Sequence, residues 1–120
     1  MSVESNLLIA NQWFEAFNAK ELESLLNLYS DSAQHYSPKL KLRQPETNGL
    51  IVGKLAMRNW WQEAFNRLPT LHYKIISLTS NQDRVFMEYI RQVEGEEEMA
   101  IAEVLEIRNN KIISSRVYHG

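Results

Sequence analysis

From Leu71 to the end of the sequence, apolar side chains recur largely at every second position. A period of two is typical of β-strands that bury one face. It predicts four strands, over residues 71–79, 84–93, 99–108 and 112–119. The joints between them are short, and Asn109 and Asn110 form a two-residue turn that tolerates positive φ. Four consecutive strands with short turns predict an antiparallel meander, one face of which the rest of the chain must cover.

The first 70 residues follow a helical spacing instead. Apolar groups three and four positions apart predict a helix from about Ser5 to Asn18, with Ser5 as N-cap and Asn18 at the C-terminal end. Further helices are predicted over residues 21–29 and 54–68, the latter ended by Pro69. The two N-terminal helices, joined tightly, form a helical hairpin.

The middle of the chain is less regular. Residues 33–37 lie between Asp31 and Pro38 and read as a short strand. Residues 38–53 contain two prolines and two glycines, and predict a long loop or flap with at most a short extended stretch. The resulting fold class is α+β, in one domain over residues 1–120. Three helices pack on a curved, mainly antiparallel sheet of about five strands and enclose a pocket.

Charge and composition exclude several classes of function. The net charge of −2 leaves no basic surface for nucleic acid, and no apolar run approaches the roughly 20 residues of a membrane helix. The N-terminal residues lack the features of a signal peptide, and cysteine is absent, which excludes thiolate catalysis and disulfides. We therefore expect a cytoplasmic protein. Three histidines, at positions 35, 72 and 119, show no ligand spacing, so we expect no metal site.

Four local patterns, in this order, carry a resemblance to a known superfamily. They are residues 17–23, residues 28–33, the helix 53–69 with Gly53, Met57, Trp60, Trp61, Phe65 and Pro69, and residues 106–113 followed by Arg116, Val117 and Tyr118. Over essentially its whole length the chain resembles the nuclear transport factor two-like superfamily, in its SnoaL-like and ketosteroid isomerase-like branch. The resemblance implies a cystatin-like cone. The fold hosts isomerases, cyclases, dehydratases, epoxide hydrolases and many proteins that are not enzymes.

Glu103 is the most informative position for chemistry. By the period of two it shares a strand face with Ile101, Leu105 and Ile107. A carboxylate on such a face is costly unless it is paired or its pKa rises. By resemblance, Glu103 lies where ketosteroid isomerases keep a carboxylic acid that stays protonated because its apolar site raises its pKa. The alternative is a structural ion pair with Arg91 or Arg116.

The same resemblance removes other catalytic groups. The general base of ketosteroid isomerases falls on Ser37, and their oxyanion tyrosine falls on Trp13, so steroid isomerisation is not expected. The epoxide hydrolase triad would fall on Tyr89, Arg91 and Val117, and is absent. His35 shares a strand face with Ser37 and is a candidate general base, or else a hydrogen-bonded histidine of the pocket wall.

The remaining site predictions concern the pocket wall. Aromatic side chains give large, rigid apolar surfaces around a ligand, and inward-facing strand positions complete the wall. The predicted ligand-binding residues are Trp13, Phe17, Ser37, Trp60, Tyr89, Val117 and His119. Arg91 is expected at the open rim. Val104 and Phe86 belong to a second apolar sheet face, and the superfamily commonly dimerises through its sheets, so we expect a homodimer.

Two functions follow from these features. The first is an isomerase, cyclase or dehydratase for a small apolar or polyketide-like molecule, without a cofactor, in which Glu103 is the acid and His35 the base. The second is a non-catalytic module that binds a small apolar ligand or only dimerises. A carboxylate on an apolar strand face favours the first, and the loss of two ketosteroid isomerase positions favours the second.

Overall fold

A computed structural model describes residues 2–119 as helices packed on one six-stranded sheet. In chain order the elements are α1 (Val3–Ala19), α2 (Leu22–Leu26), β1 (Tyr29–Tyr36), α3 (Pro38–Arg43), a 3-10 turn (Pro45–Thr47), β2 (Leu50–Val52), α4 (Lys54–Arg67), β3 (His72–Ser80), β4 (Arg84–Gln92), β5 (Met99–Arg108) and β6 (Lys111–His119). Within residues 2–119, no helix is both long and apolar enough to cross a membrane.

The sheet has the order β2-β1-β6-β5-β4-β3. Neighbouring strands are antiparallel except β1 and β6, which are parallel. Register shifts interrupt the pairing in β1, β3 and β5, and such bulges bend a strand and increase its twist. The predicted α+β class with a curved, mainly antiparallel sheet is confirmed. The described residues contain six strands, where about five were predicted, and four α-helices, where three were predicted.

Helix α1 begins earlier than predicted. Ser2 is the N-cap, and its Oγ accepts from the Ser5 amide at 3.0 Å while the Ser5 side chain accepts from the Ser2 amide. The helix ends at Lys20 in the left-handed conformation rather than at Asn18. The Asn18 side chain exchanges two hydrogen bonds with the backbone of Tyr73, at 2.8 and 2.9 Å. Asn18 therefore attaches the end of α1 to β3.

The second helix is shorter than predicted, with only five residues. Tyr29, which was expected on its apolar face, instead starts β1 and is fully buried. Leu22, Leu25, Leu26 and Tyr29 have the spacing of a helix, but a single buried position at the end of such a run also fits the first residue of a strand.

The segment 38–53 was predicted as a loop and is mostly regular. Ser37 caps α3 with its Oγ at 3.2 Å from the Lys39 amide, and Pro38 occupies the first turn, where its missing N–H costs nothing. Strand β2 is the short extended stretch and pairs with β1 at the edge of the sheet. Gly49 has φ of 88° and lies so close to Tyr36 that a Cβ there would come within 2.7 Å of its ring. A side chain at position 49 would therefore displace this connection.

The core lies between the sheet and the helices. Helix α1 lies against β3 and β4, and α4 lies against β1 and β2. The Asn6 side chain of α1 is fully buried and donates to the carbonyls of Asn81 and Gln82, at 3.1 and 3.0 Å, which attaches the helix to the β3–β4 turn. The inward face predicted for β5 is confirmed, since Ile101, Glu103, Leu105 and Ile107 are all buried.

Candidate functional site

A cavity of about 60 Å³ lies between the concave face of the sheet and helices α1 and α4. Space of this size holds about four to six water molecules or one small apolar group. All nine predicted site residues line it, namely Trp13, Phe17, His35, Ser37, Trp60, Tyr89, Glu103, Val117 and His119. Their roles in binding or catalysis stay predictions.

Glu103 is the central acid of this cavity. Glu103 is 1% exposed, and the Tyr89 hydroxyl donates a hydrogen bond to its Oε1 at 2.6 Å. Oε2 has no hydrogen-bond partner among the described residues. Burial raises the pKa of Glu103 to about 7, although the Tyr89 hydrogen bond works in the opposite direction. Near neutral pH the side chain is therefore present in both protonation states.

The ion pairs considered for Glu103 do not form. The Arg91 guanidinium bonds Glu96 at 2.9 Å, and Arg116 bonds Glu106 on the outer face of the sheet. Both cations thus have other carboxylates as partners, and an apolar strand surface surrounds Glu103. On the neighbouring strands Met87 and Val117 lie directly opposite it. An unpartnered buried oxygen costs roughly 1–3 kcal/mol, so its presence calls for a ligand or a bound proton.

His35 lies at the end of a buried chain of hydrogen bonds. The Trp13 indole Nε1–H donates to Tyr29 Oη at 3.0 Å, and Tyr29 Oη donates to Ser115 Oγ at 2.9 Å. Ser115 Oγ in turn lies 2.7 Å from Nδ1 of His35. Tyr29 and Ser115 are fully buried, so water does not compete for these bonds.

The direction of this chain determines which nitrogen of His35 carries the proton. An indole N–H can only donate, so the Tyr29 hydroxyl accepts from Trp13 and gives its own proton to Ser115. Ser115 then has one proton to give, and Nδ1 of His35 is the remaining acceptor in contact. Burial lowers the pKa of His35 to about 4, so the ring is neutral and its single proton is on Nε2. In this arrangement the imidazole is a hydrogen-bond donor rather than a base.

Trp13 and Ser37, two of the predicted ligand-binding residues, form their polar contacts within the protein. The Trp13 indole N–H is committed to Tyr29, and Ser37 Oγ accepts from the Lys39 amide. Trp13 therefore presents its ring surface to the cavity. Its ring stacks on Phe17 with centroids 5.2 Å apart, and Phe17 stacks on Tyr73 at 4.1 Å. Tyr73 lies 4.3 Å from Tyr89, which completes an aromatic wall that ends at Glu103.

Several residues of the site were missed by sequence reasoning. Tyr73 and Trp61 line the cavity. The weak alternation in β3 did not distinguish its inward face, and the sequence did not decide whether Trp61 belongs to the core or to the cavity wall. Ser115 had a usable signal, since it alternates with Val117 and His119 on one strand face. Tyr29 had none, because it was assigned to a helix.

The mouth of the cavity carries charge. Lys39 of α3, Arg67 of α4 and Arg91 of β4 line it together with His119 of β6. Arg91, which was expected at the open rim, is itself buried at this end of the cavity, and Glu96 of the β4–β5 turn accepts from its guanidinium. Burial, followed by the nearby Lys39 and Arg91, lowers the pKa of His119.

Comparisons with known proteins agree with this fold. A SnoaL-like protein of unknown function from Burkholderia thailandensis has 21% identity and a TM-score of 0.87, with 100% of this chain and 98% of that chain covered. An NTF2-like protein from Anabaena variabilis has 22% identity and a TM-score of 0.77, covering 97% and 90%. A cystatin fold protein from Novosphingobium aromaticivorans has 21% identity and a TM-score of 0.78, covering 98% of each chain.

At these identities the solved structures support the fold and not an activity. No curated protein matches the sequence. The model of the SnoaL-like domain matches residues 10–115, which leaves out only the start of α1 and the end of β6 among the helices and strands. The chain is therefore a member of the SnoaL-like family.

Proposed function

We propose that this protein binds a small apolar molecule in its cavity and that Glu103 transfers a proton to or from it, without a cofactor. The reaction class is that of an isomerase, cyclase or dehydratase. The observation that carries the proposal is the state of Glu103. It is a buried carboxyl with one unpartnered oxygen, in the wall of a cavity, with a pKa of about 7.

The geometry supports a division of roles between the two polar groups. The unpartnered oxygen of Glu103 is the proton acceptor, because a carboxylate with a pKa near the working pH is an effective general base. His35, with its proton on Nε2, supplies a neutral hydrogen-bond donor for a carbonyl oxygen that gains charge. This reverses the roles expected from the sequence, in which Glu103 was the acid and His35 the base.

Proton exchange on a simple carbon acid tests this function. We expect the wild-type protein to catalyse exchange of the α-protons of cyclopentanone with D₂O, followed by proton NMR. The rate should rise with pH through about 7, as Glu103 ionises. Glu103→Gln should lower the rate at least about 100-fold, the usual lower range for loss of a general base.

The matched control is Glu15→Gln, which removes an exposed carboxylate from α1, outside the cavity wall and away from the sheet. It should exchange at the wild-type rate. Equal exchange by wild type and Glu103→Gln would remove Glu103 from the chemistry. Binding of cyclopentanone without any exchange would favour the non-catalytic module, for which the loss of the family's general base at Ser37 is the supporting observation.

We also propose that two copies of the chain pair through the outer face of the sheet. Phe86 and Tyr118 are 43% and 48% exposed there, and Ile76 is 57% exposed. Such a contiguous apolar surface is typical of an interface. The face also carries Arg116 with Glu106, a mixture of signs that suits pairing with an identical surface.

Sedimentation velocity tests the dimer. The wild-type protein should sediment as a dimer at micromolar concentrations, and Phe86→Glu should shift it to monomer because a carboxylate is poorly tolerated in an apolar interface. Leu42→Glu, an exposed leucine on α3 away from this face, is the control and should leave the dimer intact. A monomeric wild type at all concentrations would exclude this interface.

A further inference from the structure

The mouth of the cavity differs in character from its interior. Inside, the wall is aromatic, with Trp13, Phe17 and Tyr73 in contact with one another. At the mouth, Lys39 and Arg67 come from two helices, and Arg91 comes from β4. Three cations from separate elements thus converge on one opening in a chain whose net charge is −2.

The local carboxylates only partly balance these cations. Arg91 is paired with Glu96 at 2.9 Å. Arg67 is paired with Glu63 at 3.1 Å, but Glu63 also bonds Arg43 at the same distance. One carboxylate therefore serves two guanidinium groups.

Lys39 is the third cation at the mouth, and it differs from the two arginines in its pairing. Within residues 2–119 it makes no ion pair, although it is half-buried at the mouth. Burial lowers its pKa first, and the neighbouring positive charge of Arg91 lowers it further. Glu96 is the nearby acid that opposes this effect. The mouth thus holds an excess of positive charge around a partly desolvated ammonium group.

We propose that the ligand is a small amphipathic carboxylate, with its anionic group at Lys39 and Arg91 and its apolar end between the aromatic rings. This inference rests on the proposed function, because it takes the same cavity as the binding site and places the apolar end of the ligand beside Glu103. A cation with the same apolar group would meet the positive charge at the mouth. A neutral molecule would gain the aromatic contacts only.

The cavity volume limits the apolar end. About 60 Å³ is less than the roughly 150 Å³ of a cavity that encloses benzene, so it encloses a short branched chain or part of a single ring, and not a fused ring system. Carboxylates interact with guanidinium and ammonium groups through charge-assisted hydrogen bonds, which are stronger in a partly buried mouth than on an open surface. The class of ligand is therefore an aryl or branched-alkyl monocarboxylate.

Calorimetric titration of the full chain with three related ligands tests the inference. Phenylacetate should bind about tenfold more tightly than its neutral analogue phenylacetamide, and phenethylammonium should bind more weakly than either. Lys39→Gln should remove most of this tenfold preference, whereas Lys41→Gln, on the exposed side of the same helix and outside the cavity wall, should keep it. Inorganic phosphate, which has no apolar end, should bind more weakly than phenylacetate.

The outcomes separate this inference from the proposed function. Equal binding of phenylacetate and phenylacetamide, an unchanged preference in Lys39→Gln, or no binding of any of the three ligands would overturn the inference. Phosphate binding as tightly as phenylacetate would overturn the amphipathic class. Cyclopentanone exchange that depends on Glu103 would leave the proposed function standing in each case. Conversely, an anion preference that depends on Lys39, without any exchange, would contradict only the proton transfer.

Discussion

Glu103→Gln and His35→Asn should change the slope of the free energy of unfolding against pH in opposite directions. Both side chains are buried in the same cavity wall, and burial disfavours the charged form of each. Glu103 gains protons on folding because its pKa rises from 4.5 to about 7. His35 loses protons on folding because its pKa falls from 6.5 to about 4.

The sign of each contribution follows from proton linkage. The folded state binds a proton at Glu103 more tightly than the unfolded state, so stability is highest below pH 4.5 and falls as the pH rises to about 7. The folded state binds a proton at His35 more weakly, so stability is highest above pH 6.5 and is lost as the pH falls to about 4. Between pH 4.5 and 6.5 the two slopes cancel, and the wild type should show little net dependence from this pair.

In each single variant, the pH dependence of the free energy of unfolding should show the contribution of the other group alone. Glu103→Gln should become more stable by roughly 3 kcal/mol from pH 4 to 6.5, and His35→Asn less stable by a similar amount from pH 4.5 to 7. Chemical denaturation at pH steps measures both, and the double variant should again be flat. The surface carboxylates are common to all four proteins and cancel in the differences. A Glu103→Gln profile parallel to that of wild type would mean that the carboxyl does not titrate with a raised pKa.

Trp61→Ala should strongly destabilise the protein, and indole should partly reverse the loss. Trp61 is 3% exposed and packs on Tyr29 and His35, with ring centroids 5.3 and 5.1 Å away. Replacing a buried tryptophan by alanine costs about 3–5 kcal/mol, from lost apolar burial and the space left behind. That space adds to the existing cavity and has the shape of an indole ring.

Thermal unfolding with and without millimolar indole measures the rescue, because a ligand that binds only the folded state raises its stability by mass action. The control is Phe14→Ala, which removes a ring that packs on Trp13 and Tyr89 but lies outside the cavity wall. Both variants should lose stability, and indole should raise the melting temperature of Trp61→Ala alone. An equal effect of indole on both would show that the Trp61 space is not part of the ligand cavity.

Parts of this structure were accessible from the sequence because they depend on local periodicity. Alternation in β5 placed Glu103 on a buried face, and burial alone is enough to raise the pKa of a carboxyl. Alternation over the predicted strand 33–37 placed His35 and Ser37 on one face, and both line the cavity, although β1 ends at Tyr36 and Ser37 caps α3. These predictions needed no knowledge of which strands are neighbours.

Other parts depend on pairing between distant residues, which periodicity does not contain. The partner of Glu103 is Tyr89 rather than an arginine, because β4 and β5 pair in a register that brings this tyrosine near. The donor role of His35 depends on Ser115, which lies 80 residues away. At the N-terminus, Ser2 and Ser5 are both good caps, and only the backbone shows that the first serine is used.

The position of β6 between β1 and β5 has a consequence for how the domain acquires its structure. The hairpins β3–β4, β4–β5 and β5–β6 can form from neighbouring residues, but β1 must find β6 after closing a long loop. Non-local pairing of this kind slows folding, since chain entropy is lost before any contact forms. The contact of His35 with Ser115 belongs to that late step. We therefore expect the meander to form before the cavity can bind a ligand during refolding. Ligand binding should then recover more slowly than β-sheet structure.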